Sequence, residues 1–172
     1  MLYLKKNPIG IDGVIDRIQS TLFRRLCKRW SIEESEYDSY CRAYKNQTKN
    51  GYVPEFYIGN KEYKELFVND TISATSFFLS GDKVKKVGSG FQSELSVIFF
   101  VDISKLKNIS HRADDEVRND VIQSLPDFNE LISVETGINN VFREFSQSSI
   151  KFRDMHPLHC FRLNLIVNYT MC

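Results

Sequence analysis

The residues best suited to bind a metal lie near the C-terminus, where the sequence reads Met-His-Pro-Leu-His-Cys at positions 155–160. Histidine nitrogen and cysteine sulfur are common zinc ligands, but a closed structural site needs four ligands. No second cluster in the sequence completes the set. On a strand, the side chains of His159 and Cys160 would point to opposite faces, which also argues against a thiol–imidazole dyad. The pattern therefore predicts a turn at Pro157 that leads into a strand.

A second candidate for chemistry is the acidic run Asp114-Asp115-Glu116. With His111 nearby, it could hold a divalent cation or act as an acid–base pair, so a small metal-dependent or nuclease-like enzyme is one alternative. Negative charge is also favoured in the first turn of a helix, which gives the run a purely structural reason. We expect the structural role, with no catalytic residues and no cofactor.

A third candidate is the lysine-rich segment 81–92, which contains Lys83, Lys85 and Lys86 followed by Gly88-Ser89-Gly90. A phosphate-binding P-loop places its lysine after the glycines, whereas here the lysines come first. The segment is predicted to be an extended, exposed loop. Such a loop could contact a neighbouring protein or line a channel that holds DNA.

Charged residues in the second half of the chain are the remaining candidates for contacts between subunits. Arginine forms bidentate pairs with carboxylates, and several arginines lie in or near predicted ordered elements with acidic residues close by. The predicted interface residues are Arg112, Asp115, Glu116, Arg118 and Arg143, together with the three lysines of segment 81–92. Arg162 and Glu144 are further members of the same charged group.

The composition is that of a globular protein. The chain has 172 residues, of which 42% are hydrophobic and 26% charged, so it is long enough for one domain spanning 1–172 with a real core. A net charge of +1 argues against a dedicated nucleic-acid binder, which usually has a basic excess. No apolar run approaches the length of a membrane helix, and the N-terminus lacks the features of a signal peptide. The scattered cysteines are expected to be reduced thiols of an intracellular product.

A helix is predicted over residues 6–29, with Pro8 in its first turn. Its apolar residues recur at spacings of three and four, which places them on one face. Acidic residues lie near its start and basic residues near its end, as the helix dipole favours. This apolar stripe consists of Ile11, Ile15, Ile18, Leu22 and Leu26.

Alternating and β-branched residues predict strands along the rest of the chain. Residues 31–50 are too polar for a clear assignment, and we expect a connecting loop with one short strand at 40–44. The predicted strands are 52–58 and 62–68, joined by a tight turn at Gly59-Asn60, and then 72–79, 93–103, 131–135 and 161–169. The predicted helices in this part are 112–125 and 137–145.

These elements predict an α+β fold. It has a mostly antiparallel sheet, an N-terminal helix and a second helix packed on one face, and long loops at 30–50 and 81–92. The content of 13 Phe and 8 Tyr is high for this length. Aromatic residues are enriched at interfaces, so some of them are expected on exposed strands that contact a partner. These residues are Tyr52, Phe56, Tyr57, Phe77 and Phe78.

The second half resembles small neck proteins of tailed bacteriophages, in particular the tail terminator or tail completion group. The resemblance rests on element order together with the strings HRADDEVRNDV (111–121), VETGINNVFREF (134–145) and MHPLHCFRLNLIVNY (155–169). With the N-terminal helix, it covers roughly residues 8–30 and 93–170. Residues 31–92 match no family pattern.

The resemblance implies a non-enzymatic subunit of a six- or twelve-fold ring that joins the tail tube to the head-proximal connector. Its partners would be copies of itself and other neck and tail proteins, with DNA only as passing cargo and no membrane contact. Such a protein is made in the cytoplasm of the host bacterium and resides in the virion. The main alternative is a monomeric adaptor or inhibitor that binds one protein partner through aromatic edge strands.

Overall fold

The computed structural model describes residues 1–68, 70–110, 113–127, 129–150 and 152–171. The helices are α1 (Ile11–Trp30), α2 (Asp114–Ser124) and the single-turn α3 (Ile138–Val141). The strands are β1 (Leu2–Tyr3), β2 (Tyr37–Thr48), β3 (Gly51–Phe56), β4 (Lys64–Glu65), β5 (Ala74–Val87), β6 (Gly90–Asp102), β7 (Glu130–Thr136) and β8 (Leu158–Tyr169).

All the described strands belong to one sheet in the order β4-β3-β2-β5-β6-β8-β7, with β1 beside β2. The β1–β2 and β2–β5 pairs are parallel, and the other pairs are antiparallel. The predicted α+β class with a mostly antiparallel sheet is therefore confirmed. The C-terminal strand β8 lies inside the sheet, between β6 and β7, as its regular alternation predicts.

One face of the sheet is covered by α1 and α2. The apolar stripe of α1 is almost fully buried and packs on alternate residues of β6 and β8, such as Val97, Phe99, Phe161 and Leu163. Phe99 and Phe161 stack with ring centroids 5.2 Å apart. This core confirms that α1 and the alternating strands were correctly predicted from periodicity.

The opposite face of the sheet has a second core that is rich in phenylalanine. Ile98 and Phe100 of β6 are buried here, which confirms that both faces of this strand are covered. The cover comes from the middle of β2, the end of β3, the residues that follow β4, and residues 138–150 and 152. Its buried members are Tyr40, Cys41, Ala43, Phe56, Leu66, Val68, Val141, Phe142, Phe145 and Phe152. The backbone N–H of Ser146 donates to the carbonyl of Tyr52 at 2.7 Å, which joins these two covering segments.

This second core corrects the prediction of exposed aromatic strands. Phe56, Phe77 and Phe78 are buried inside the subunit, and only Tyr52 of the predicted group is strongly exposed. Phe77 packs edge-on against Phe142 and Phe145 at centroid distances of 6.4 and 6.3 Å. The surplus of Phe is therefore explained by a core on each face of the sheet.

The prediction of a connecting loop at 31–50 was wrong, because Tyr37–Thr48 form the long strand β2, of which the predicted short strand at 40–44 is only the middle. The polar residues that obscured the strand are satisfied by tertiary hydrogen bonds. Tyr37 shares a hydrogen bond with the hydroxyl of Ser76 at 2.8 Å, and the Gln19 amide donates to the carbonyl of Ser39 at 2.9 Å.

The exposed loop predicted at 81–92 is also corrected, since β5 and β6 run through it as a paired hairpin. Only Gly88-Ser89 form the turn, where Gly88 has a φ of 58°. A Cβ atom on Gly90 would lie 2.9 Å from the carbonyl oxygen of Tyr169, so glycine permits the close approach of β8.

Three boundaries also differ from the predictions. Helix α1 begins at Ile11, after Gly10 with its positive φ of 59°, so Pro8 precedes the helix. The predicted strand 62–68 is reduced to Lys64–Glu65, and the predicted helix 137–145 to Ile138–Val141. In the last two cases apolar residues are buried without continuing the regular hydrogen-bond pattern, as Leu66 and Phe145 show.

A buried ion cluster fixes α1 to the sheet. Asp12 has a side chain only 6% exposed, and it forms ion pairs with Lys5 and Arg42. The Arg42 Nη2 donates to its carboxylate at 3.1 Å. One carboxylate therefore links the N-terminal segment, the first turn of α1 and the middle of β2.

We predict that Asp12→Ala destabilises the protein by about 2–4 kcal/mol, because it leaves two partly buried cations without their counter-charge. Chemical denaturation monitored by circular dichroism measures the change. Asp16→Ala, on the next turn of the same helix, is the matched control and should cost less than about 1 kcal/mol. Equal losses for the two variants would contradict the role of the cluster.

Candidate assembly surfaces

Strand β7 forms one edge of the sheet. It pairs with β8 on one side, and no strand lies on its other side in the described part of the chain. Ile132 and Val134 are 51% and 37% exposed on this strand, which is unusual for branched apolar residues in a sheet. Its charged residues are Glu130 and Glu135, with no base among them. We call this strand the acidic edge.

A polar network holds the acidic edge in place. Arg162 of β8 is buried and donates to both carboxylate oxygens of Glu144, at 2.7 and 2.9 Å. Its neighbour Asn164 donates to the Ser133 hydroxyl and to the Glu135 carboxylate, both at 3.0 Å. The Asn164 bonds cross from β8 to β7, whereas the Arg162 bonds tie β8 to the segment after α3, so β8 holds both of these neighbours.

Arg143 completes this network by pairing with both Glu135 and Glu144. Partial burial of Glu135 opposes its ionisation, but hydrogen bonds from Arg143 and Asn164 and the charge of Arg143 outweigh it and lower the pKa of this carboxyl. Glu135 is therefore held ionised in its pair with Arg143, and Glu130, which has no ion pair among the described residues, gives the edge its uncompensated negative charge.

The sheet ends on its other side in the two-residue strand β4, and a longer open edge belongs to β5. Strand β2 pairs with β5 only as far as Arg42 opposite Phe78 and then continues in a pair with β3. Residues 80–87, which we call the basic arm, have β6 on one side and no strand on the other within the described ranges. An irregular register between Ser80 and Val84 marks the start of the arm.

Every residue of the arm from Asp82 to Val87 is exposed. Three of the six are lysines, and Val84 and Val87 are 57% and 46% exposed. The arm thus presents free backbone groups, positive charge and apolar side chains together. Lys83, Lys85 and Lys86 were correctly predicted to be exposed, although they lie on a strand and not in a loop.

The other predicted interface residues are dispersed. Asp115 and Arg118 form an ion pair with each other on α2, and Glu116 is exposed on the same helix. Arg143 pairs inside the acidic-edge network, and Arg112 lies outside the described residues. Arg162, which the sequence analysis grouped with these residues, is buried and pairs with Glu144 inside the subunit.

Sequence reasoning missed the open edge at β7. The signal was present, since Ile132 and Val134 alternate with polar residues between two glutamates. Exposure of the apolar positions depends on which strand ends the sheet, however, and a single sequence does not fix strand order.

The histidine and cysteine residues near the C-terminus are separated by the sheet. Cys160 is buried in the phenylalanine-rich core, whereas His159 stacks on Phe161 at 5.4 Å on the helix-covered face. A turn at residues 155–157 precedes β8, as predicted. Among the residues that the structure describes, no group of three potential ligands is close enough to hold a metal ion.

Neither a known protein family nor a curated protein matches this sequence. None of the helices in the described ranges combines the length and apolar composition that a membrane crossing requires.

The environment of His159 predicts acid sensitivity. Burial lowers the pKa of this imidazole below its ordinary value of 6.5, despite opposing carboxylates at Asp114 and Asp154. The Nε2 atom has no hydrogen-bond partner among the described residues. The unfolded chain therefore takes up a proton more readily than the folded one as the pH falls through about 6.5.

We expect the free energy of unfolding to fall on acidification below about pH 6.5, by up to about 1.4 kcal/mol per pH unit, until the pH reaches the folded-state pKa. His159→Phe should remove this component, and His156→Phe, an exposed control in the preceding turn, should retain it. Denaturation curves at pH 7.5, 6.5 and 5.5 provide the test. Parallel pH profiles for the wild type and His159→Phe would contradict the assignment.

Proposed function

We propose that this protein is a non-enzymatic structural subunit that assembles with copies of itself into a ring. In the proposed contact, the basic arm of one subunit pairs with the acidic edge of the next. The observation that carries the proposal is the presence of two unpaired sheet edges of similar length and opposite charge in one subunit.

The chemistry of the two edges is complementary. Unpaired strand edges present rows of N–H and C=O groups that a further strand can satisfy, which is the basis of β-augmentation. Lysines on the arm match glutamates on the acidic edge. The exposed valines of the arm and the exposed Ile132 and Val134 would lose contact with water in the same step.

A contact between two different surfaces of one subunit is heterologous. Repetition of such a contact produces a closed ring when the rotation between neighbouring subunits is a whole-number fraction of a full turn, and a filament when it is not. The resemblance to tailed-bacteriophage neck proteins favours the ring. In that setting, the ring would lie in the virion neck, join the tail tube to the head-proximal connector and let DNA pass through.

Electron microscopy of the purified protein, with mass photometry over a range of concentrations, tests the proposal. We expect closed rings whose mass is an integer multiple of the 20.1 kDa subunit. A protein that stays monomeric at all concentrations and does not bind tail tubes would contradict the proposal and favour an adaptor that binds a different protein.

Charge reversal tests which surfaces make the contact. Lys83→Glu/Lys85→Glu/Lys86→Glu should raise the concentration needed for assembly at least about tenfold, since like charges would face each other across the paired strands. Adding Glu130→Lys to that variant should recover part of the loss.

The matched control is Lys45→Glu/Lys49→Glu/Lys61→Glu, which makes the same change in net charge at exposed positions outside both edges. It should assemble like the wild type. Assembly of the arm variant at wild-type concentrations, or equal losses for arm and control, would exclude the arm as the contact surface.

A further inference from the structure

The outward side of α1 carries a row of basic side chains that the proposed assembly contact does not use. We call Arg17, Arg24, Arg25, Lys28 and Arg29 the cationic stripe, and all five are exposed. Arg17, Arg24 and Lys28 are separated by seven and four residues, which places them on one side of the helix. No acidic residue occurs in the sequence between Arg17 and Arg29.

The stripe is a connected surface of some length. From Arg17 to Lys28 the helix rises about 16 Å at 1.5 Å per residue, which is comparable with several phosphate spacings along a DNA strand. The opposite side of α1 is buried in the core, so the helix cannot turn its basic side inward. The charges are therefore held in a fixed row.

Two of the cations are oriented by α2. Arg25 donates to the carbonyl oxygens of Ser124 and Leu125, at 3.2 and 3.1 Å, at the C-terminal end of that helix. Arg29 donates to Asp120 and Gln123, both at 2.8 Å. These contacts anchor the side chains beside a groove between the helices.

This groove has a volume of about 500 Å³ and an entirely polar set of lining side chains. They are Arg25, Lys28, Arg29, Asn108, Gln123 and Ser124. Within the described residues, no carboxylate lies within ion-pair distance of Arg24, Arg25 or Lys28. Positive charge is therefore concentrated at the groove and along the stripe.

The chemistry of the stripe fits the sugar–phosphate backbone better than a protein surface. Backbone contacts to DNA come mainly from Arg and Lys, with Ser, Thr, Asn and Gln as additional donors, and these are the residue types present here. Protein interfaces place aromatic or apolar residues at their centre. No residue of α1 belongs to the exposed large hydrophobic residues of the described chain.

We propose that the cationic stripe of α1 binds the phosphate backbone of double-stranded DNA without sequence preference. The binding is electrostatic, so it weakens steeply with salt. It is a local property that a net charge of +1 conceals, because all 22 acidic residues of the chain lie outside the segment 17–29 in the sequence. In a ring the stripe would act on the DNA that passes, but the proposal holds equally for a single subunit.

Fluorescence anisotropy of a labelled 20-base-pair duplex, titrated with the full chain between 50 and 200 mM NaCl, measures this binding. Arg24→Glu/Lys28→Glu should weaken it at least about tenfold at 100 mM salt and reduce the slope of log K against log salt by about 2. Lys45→Glu/Lys49→Glu makes the same charge change on the β2–β3 hairpin and should bind DNA like the wild type. Circular dichroism and mass photometry confirm that both variants keep the wild-type fold and assembly state.

Three outcomes would overturn the proposal. The first is equal DNA affinity for the stripe variant and the wild type. The second is an equal loss of affinity in the stripe and control variants, which would mean that only net charge matters. The third is tighter binding of a labelled poly-glutamate peptide of matched charge, which would identify the stripe as a site for acidic protein segments. These readouts do not depend on ring assembly, because the substituted residues Arg24 and Lys28 lie on α1 and belong to neither sheet edge.

Discussion

The whole structure depends on the need to cover both faces of the central strand β6. Its side chains are apolar on alternate positions of one face and remain apolar at Ile98 and Phe100 on the other. A strand of this kind is stable only when each face is packed against another layer. Helices α1 and α2 supply one layer. The other is made by β2 and β3 together with residues 138–150 and 152, and this requires β2 to leave β5 after Arg42. The unpaired outer edge of the basic arm is a direct consequence of that departure.

How much of this could be predicted from the sequence depends on whether the signal is local. The 3.6-residue period of α1 and the alternation of β6 and β8 are local, and all three elements were predicted, with the start of α1 placed too early. Strand β2 was missed because its polar residues find partners far away in the chain, as the Tyr37–Ser76 hydrogen bond shows. The open edges were missed for a related reason, since the exposure of Ile132 or Val84 depends on strand order. The local sequence indicates which secondary structure a segment prefers. Whether a strand lies at an open edge of the sheet depends on the tertiary arrangement of the other strands.

The opposite charges of the two edges also limit how subunits can pair. Two basic arms brought together would place lysines opposite lysines, and two acidic edges would place glutamates opposite glutamates, so both self-pairings are disfavoured. In the proposed assembly only the mixed pairing would be attractive, which would select the heterologous contact over a symmetric dimer. Lysines on an exposed edge strand usually prevent uncontrolled aggregation. Here the same residues would both protect the free subunit and specify its partner.

Pairing of these edges in a flat, endless ribbon is opposed by irregularities in both strands. The register of β5 shifts between Ser80 and Val84, where the basic arm begins, and that of β7 shifts between Leu131 and Ser133. Bulges bend a strand and increase its local twist. Such irregularities turn an edge away from simple extension of the sheet, and the Asn164 bonds to Ser133 and Glu135 hold the β7 edge on β8. In the proposed assembly, the same angle repeated at every contact would allow the heterologous interface to close, so irregular register at each edge would favour a ring over an extended sheet.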